Sequence, residues 1–183
     1  MHTTDWNCDF AALPGWNLRE IMWDVRDEFY ELPQNDTLCC IYSITEASMM
    51  NYIGRLAVFQ NKENPKLVLN IEAYTFCPNF SASADGSLIF LQPSIYDRPT
   101  NRCVRPLLIL DLKRKCFSYL PVKNVNPCYQ VIQRSEKVFQ IDAEEYQRKR
   151  DKRLRAIHGK RMRTNWLKWY SWDKLHALPE MVL

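Results

Sequence analysis

Glycine is scarce in this chain: four in 183 residues, at positions 15, 54, 86 and 159. None sits at the spacing of a phosphate-cradling loop, so the sequence carries no P-loop or dinucleotide fingerprint. No Ser/Gly-rich or low-complexity tract occurs, which argues against long disordered segments. There is no C-x-x-C, and the three histidines (His2, His158 and His176) lie far apart in sequence. The paired-ligand spacing of a zinc site is therefore missing, and no metal or other cofactor is expected. No apolar run approaches the ~20 residues that span a bilayer. Residues 1–6 have neither the basic nor the apolar region of a signal peptide. With seven cysteines, an odd number lying mostly in apolar stretches, the expectation is free thiols in a reducing cytoplasm. Signatures of nucleophilic catalysis are also missing: there is no G-x-S-x-G elbow and no family cysteine motif. A non-enzymatic role is expected.

What is present is apolar and aromatic mass, 46% and 13% of residues, enough for one packed domain over 1–183. Residues 1–37 read as an arm and a helix. Asn17 and Glu20 form a capping-box pattern, and Leu18, Ile21, Met22, Val25 and Phe29 recur at helical spacing, which predicts a helix over 17–31 ended by Pro33. Residues 38–141 change period. Short runs rich in β-branched and aromatic residues predict strands at 38–44, 55–60, 66–71, within 83–96, and at 105–112, 115–120, 128–133 and 137–141. Polar connections at 61–65, 113–114 and 134–136 predict hairpin turns, and Asp85-Gly86 another turn. Asp111 reads as turn chemistry with Lys113.

Leu56 and Val58 map onto Leu107 and Ile109 at an offset of 51, and Leu67 and Leu69 onto Phe117 and Tyr119 at 50. That weak repeat has the period of a propeller blade. The stretch SASADGSLIFLQ…RPLLILDLKRKCFSYL, within roughly residues 75–120, resembles a β-propeller blade: turn, strand, loop, strand, short turn, strand. Two units and part of a third do not close a ring of ~4–8 blades. The fold class expected is mainly β (α+β): twisted antiparallel sheets of blade-like meanders, with an N-terminal helix and C-terminal helices packed on them.

Residues 142–183 read as a basic, Trp-rich helical tail. Asp142 and Glu145 predict a helix to about 158, stopped by Gly159. A second helix is expected over 165–177, with Pro179 beyond its end, and its three tryptophans docked on the sheet. The run YQRKRDKRLRAIHGKRMR (146–163) holds nine basic residues and one acid, whereas residues 1–37 carry two Arg and eight acids. An acidic front can neutralise a basic back within one molecule.

Two functional readings follow. The first is a cytosolic protein-binding module. Segments 45–55 and 94–105 read as polar loops in equivalent places of the two repeat units, able to form one composite surface. They offer Met50, Tyr52, Tyr96, Asp97, Arg98 and Arg102, residue types that suit a contact surface. In size, free cysteines and loop placement the chain is similar in kind to small neutralising or inhibitory proteins, such as immunity proteins of bacterial toxin systems. The partner expected is another protein, with no membrane. The alternative is an RNA- or DNA-binding protein using Arg148, Lys149, Lys152, Arg153, Arg155, Lys160, Arg161, Arg163, Trp166 and Trp169. There the cations would neutralise phosphates and the rings would stack on bases.

Overall fold

The computed structural model describes the backbone at residues 25–31, 38–48, 51–61, 64, 66–73, 75–83, 85–97, 99–120, 129–135, 137–143, 148–149 and 152–182. The chain divides into two compact units, Met1–Phe76 and Cys77–Leu183. The described residues are mostly antiparallel β-sheet with few helices. No helix among them is long and apolar enough to cross a membrane.

The first unit holds a four-stranded antiparallel meander in sequence order: β1 (Val25–Glu31), β2 (Leu38–Ser48), β3 (Asn51–Gln60) and β4 (Lys66–Ala73). On β3 the consecutive residues Ala57, Val58 and Phe59 are all buried. Successive side chains of a strand point to opposite faces, so both faces of this sheet are covered there. Asn61, with φ of 67°, opens the polar connection from β3 to β4.

Strand β1 corrects the helix expected over 17–31; residues 17–24 lie outside the described residues. Within β1, Val25 pairs with Thr45 and Glu31 with Cys39. The physical reason is that a spacing of four, as between Val25 and Phe29, is shared by helix and strand. The strand-forming residues Val25, Phe29 and Tyr30 then join a ladder that a lone helix could not offer.

The second unit begins with β5 (Thr75–Ala82), whose first residues straddle the boundary, then β6 (Leu88–Asp97), β7 (Arg102–Val104), β8 (Leu107–Asp111) and β9 (Cys116–Leu120). They make one sheet in the order β9-β8-β6-β5, with β7 also paired to β6. Leu91 of β6 pairs with Leu108 of β8, and Ile95 with Val104 of β7, in one unbroken register. The gap between β7 and β8 falls where Pro93 and Pro106 would stand opposite each other. Neither has an N–H to donate, so the ladder lapses there and resumes beyond. Pro78 lies in β5, which sequence patterning does not mark as a strand; among the described residues β5 occupies the sheet's edge, where a missing donor is tolerated.

The third sheet is β10 (Tyr129–Ser135), β11 (Val138–Ala143) and β12 (Arg161–Arg163), in that order. It packs on the second. Leu88, Phe90, Leu107 and Ile109 from one face of the second sheet meet Phe139 and Ile141 of β11, with the Phe90 and Phe139 rings 5.4 Å apart. The opposite face of the second sheet carries Ile89, Leu91, Leu108 and Leu110, none more than 1% exposed. A sheet buried on both faces requires a near-continuous apolar run, and LLIL supplies it.

The tail differs from the two helices expected. Asp142, read as a helix cap, belongs to β11 and pairs with Gln130. Residues 148 and 149 are helical, and α1 spans Lys152–Ile157. Gly159 then takes φ of 70°, a left-handed conformation that suits glycine. Its N–H donates to Ile141 O at 2.9 Å, and the chain turns into β12. A 3-10 turn (Thr164–Trp166), β13 (Tyr170–Ser171), a second 3-10 helix (Trp172–Ala177) and α2 (Leu178–Val182) replace the helix expected over 165–177. Pro179 stands inside α2, near its start, where its missing N–H costs nothing. Strand β13 pairs with β9, so the tail does dock on the sheet. One stretch of chain thus adds an edge strand to each of two packed sheets.

Candidate interaction surfaces

The two segments read as polar loops are hairpin strands. In the first unit, β1 flanks β2 from Cys39 to Thr45, and β4 flanks β3 from Gly54 to Gln60. The β2–β3 pairing continues past both flanks, through Glu46 opposite Tyr52, to Ser48 opposite Asn51. Among the described residues this far end is a two-stranded ribbon. Tyr52 stands on it, and Met50 lies outside the described residues.

In the second unit, β9 flanks β8 only along Leu107 to Asp111. Strand β7 is therefore an outer strand among the described residues. Tyr96 pairs with Cys103 and Asp97 with Arg102, around a turn in which Asn101 takes φ of 52°. Arg98 lies outside the described residues. The sequence hid these strands because their tips are polar and Pro99 punctuates one of them.

The basic residues are distributed over helix and strand. On β12 the burial alternates: Arg161 and Arg163 are exposed, and Met162 packs against the Phe90–Phe139 core. Alternation sends both arginines to the outer face of the third sheet. Gln140 of β11 is the register partner of Arg161, and Gln140 Oε1 accepts from Arg134 Nε at 3.3 Å. Arg134 thereby joins the same face. Gln140 Nε2 donates to Asp142 Oδ1 at 3.1 Å. Beside this face Trp166 is 65% exposed, with the Arg163 guanidinium 5.7 Å from its ring. Lys152, Arg155 and Lys160 are exposed, and Lys149 too, while Arg148 is half-buried. The side chain of Arg153 is outside the described set. Among the described residues, no ion pair involves Lys152, Arg155, Lys160, Arg161 or Arg163.

The other tail aromatics are engaged. Trp169 Nε1 donates to Thr164 O at 3.0 Å, and its ring packs against the core with Arg114 5.1 Å away. Trp172 Nε1 donates to Cys116 O at 3.1 Å, and Tyr170 stacks on Phe117 and Tyr119. The structure therefore separates two rings named together from sequence, Trp166 outward and Trp169 inward. Arg134 was missed; its signal was adjacency to Arg161 across the sheet, which no linear pattern contains.

Among the described residues, Asp85 and Asp111 are engaged in turns and Cys116 is buried. Asp85 Oδ1 accepts from Ser83 Oγ (2.6 Å), Ser87 Oγ (2.8 Å) and Ser87 N–H (3.1 Å), and Oδ2 from Lys113 Nζ (3.2 Å). Partial burial pushes its pKa up, but these hydrogen bonds outweigh it and hold the carboxyl well below the usual range. Asp111 accepts from Arg114 N–H at 2.9 Å, so its turn partner is Arg114, whereas Lys113 reaches Asp85. Cys116 is a buried free thiol whose pKa is raised, chiefly by burial, the reverse of an activated nucleophile. Among the described residues no three His, Cys, Asp or Glu side chains cluster as a metal site. Comparison with family models, with curated proteins and with solved structures finds no match.

Proposed function

We propose that the chain is a non-enzymatic protein-binding module whose contacts are made by the ends of its long hairpins. It would act on its partner by occlusion, in the manner of a neutralising or inhibitory protein in the cytoplasm. The sheets themselves, two successive meanders repeating near fifty residues, are read as blade-like units, each an ordered support for its own hairpin. The observation that carries the reading is that, among the described residues, the β2–β3 ribbon reaches past both flanking strands and β7 is an outer strand at the corresponding place of the second unit. A ribbon end offers unpaired backbone edges and side chains on a support that is already ordered. Binding then costs little conformational entropy.

Affinity capture of the tagged chain from its native cell, with and without nuclease and at low and high salt, tests this. The expected result is a stoichiometric protein that survives both treatments and is lost with Tyr96→Ala, Arg102→Ala or Tyr52→Ala. Nucleic acid as the only copurifying partner, lost at high salt, overturns it. That second reading is favoured by one observation: Lys152, Arg155, Lys160, Arg161 and Arg163 are exposed without acidic partners among the described residues. It predicts a steep loss of affinity with salt and with Arg155→Ala and Arg161→Ala.

A further inference from the structure

We propose that the outer face of the third sheet, centred on Arg161 and Arg163 and bordered by Trp166, docks an acidic peptide segment of a partner protein. The proposal shares with the hairpin reading only that the partner is a protein, and it does not use the hairpin ends.

The charge on this face is concentrated and, among the described residues, uncompensated. Arg161 and Arg163 are two residues apart on one strand, about 6.7 Å along the chain. Arg134 joins them through Gln140. Asp142, an acid on this face among the described residues, is half-buried and accepts from Gln140 Nε2. A guanidinium is a planar fork that meets a carboxylate with two parallel hydrogen bonds. Carboxylates four residues apart on a helix, ~5–6 Å between their Cβ atoms, have a spacing comparable to that of the two strand positions.

Trp166 supplies what charge alone lacks. It is the most exposed large apolar side chain among the described residues, and Arg163 lies over its ring. Trp and Arg side by side on an ordered strand and turn are the residue types on which protein interfaces concentrate their binding energy.

The same geometry favours an acidic peptide over a nucleic-acid strand. Single strands are held by successive stacking platforms along a basic track. Among the described residues of the tail one ring is open. Trp169 packs on the core beneath Arg114, Trp172 is half-buried with its N–H on Cys116 O, and Tyr170 is stacked between core rings and Lys168.

The test uses the full chain and two labelled probes of equal length, a ten-residue polyglutamate peptide and a ten-nucleotide oligo-dT, with anisotropy as the readout. The proposal predicts that the peptide binds more tightly than the oligonucleotide. Arg161→Ala with Arg163→Ala should weaken peptide binding at least about tenfold, and Trp166→Ala severalfold, with Trp166→Phe restoring part of the loss. Lys152→Ala with Arg155→Ala, on α1, should change it less than about twofold, and so should Tyr96→Ala on the hairpin. Arg161, Arg163, Trp166, Lys152 and Arg155 are exposed, and circular dichroism checks that each variant is folded. Three results overturn the proposal: no peptide binding, tighter binding of the oligonucleotide, or equal losses from the β12 and α1 variants. A partner captured from cells that is insensitive to the arginine pair but lost with Tyr96→Ala would sink this surface and leave the hairpin reading standing.

Discussion

Single side chains here separate into those that hold turns together and those that face outward. Asp85 belongs to the first kind. Its carboxylate ties Ser83, Ser87 and Lys113 across the β5–β6 turn, with its pKa depressed in the folded state. A depressed carboxylate contributes stability that is fully present above the unfolded pKa of about 3.9 and is lost as pH falls toward the folded value. The wild type should therefore lose stability below about pH 4 more steeply than Asp85→Asn, in denaturant titrations at a series of pH values. Lys113 and Asp85 are both largely exposed, so solvent screens their pairing, and the serine hydrogen bonds carry most of the effect. Ser118 is the converse case. Its Oγ is buried without a hydrogen-bond partner among the described residues, beside Ile109 in the register. Burying an unsatisfied hydroxyl is costly, so Ser118→Ala should raise stability by about 1 kcal/mol in the same titrations.

At the scale of elements, Gly159 decides where the helix ends and the edge strand begins. Its positive φ costs an L-residue roughly 1–2 kcal/mol, and a Cβ added there would meet no atom within 4 Å, so sterics add nothing. Gly159→Ala is expected to destabilise by about 1 kcal/mol and to loosen β12, seen as faster hydrogen exchange at Arg161 and Arg163. Removing the ring of Phe139, fully buried between the second and third sheets, should cost about 3–5 kcal/mol.

The elements legible in the sequence were those whose pattern has one solution. LLIL, short and bounded by turn signals, reads as buried strand, and the hairpin turn at 113–114 follows from its spacing to the next run. Val25 to Phe29 was ambiguous because four residues make one helical turn or two strand pleats, and pairing with β2 decided it. Strand β5 was masked by Pro78, acceptable only because β5 lies at an edge. The tail misled for a different reason: β12 and β13 are three and two residues long, too short to show a period, and they exist because neighbouring strands β11 and β9 had free edges. The basic run was plain as charge. That Gly159 would lift Arg161 and Arg163 off the helix and onto a sheet face was not, since it depends on a hydrogen bond to Ile141, eighteen residues upstream.

On the scale of the whole chain, the account rests on division of labour. Among the described residues, buried sheet positions supply rigidity, and the proposed recognition falls to the hairpin ends and to one arginine-bearing face. The measurement that tests this most directly is capture from the native cell with the wild type beside Tyr96→Ala/Arg102→Ala, in the presence of nuclease. The account predicts one stoichiometric protein partner with the wild type and its loss with the double variant, while the variant's thermal unfolding stays close to the wild type's. A partner retained at full stoichiometry by the variant, or nucleic acid recovered in place of protein when nuclease is omitted, would contradict it.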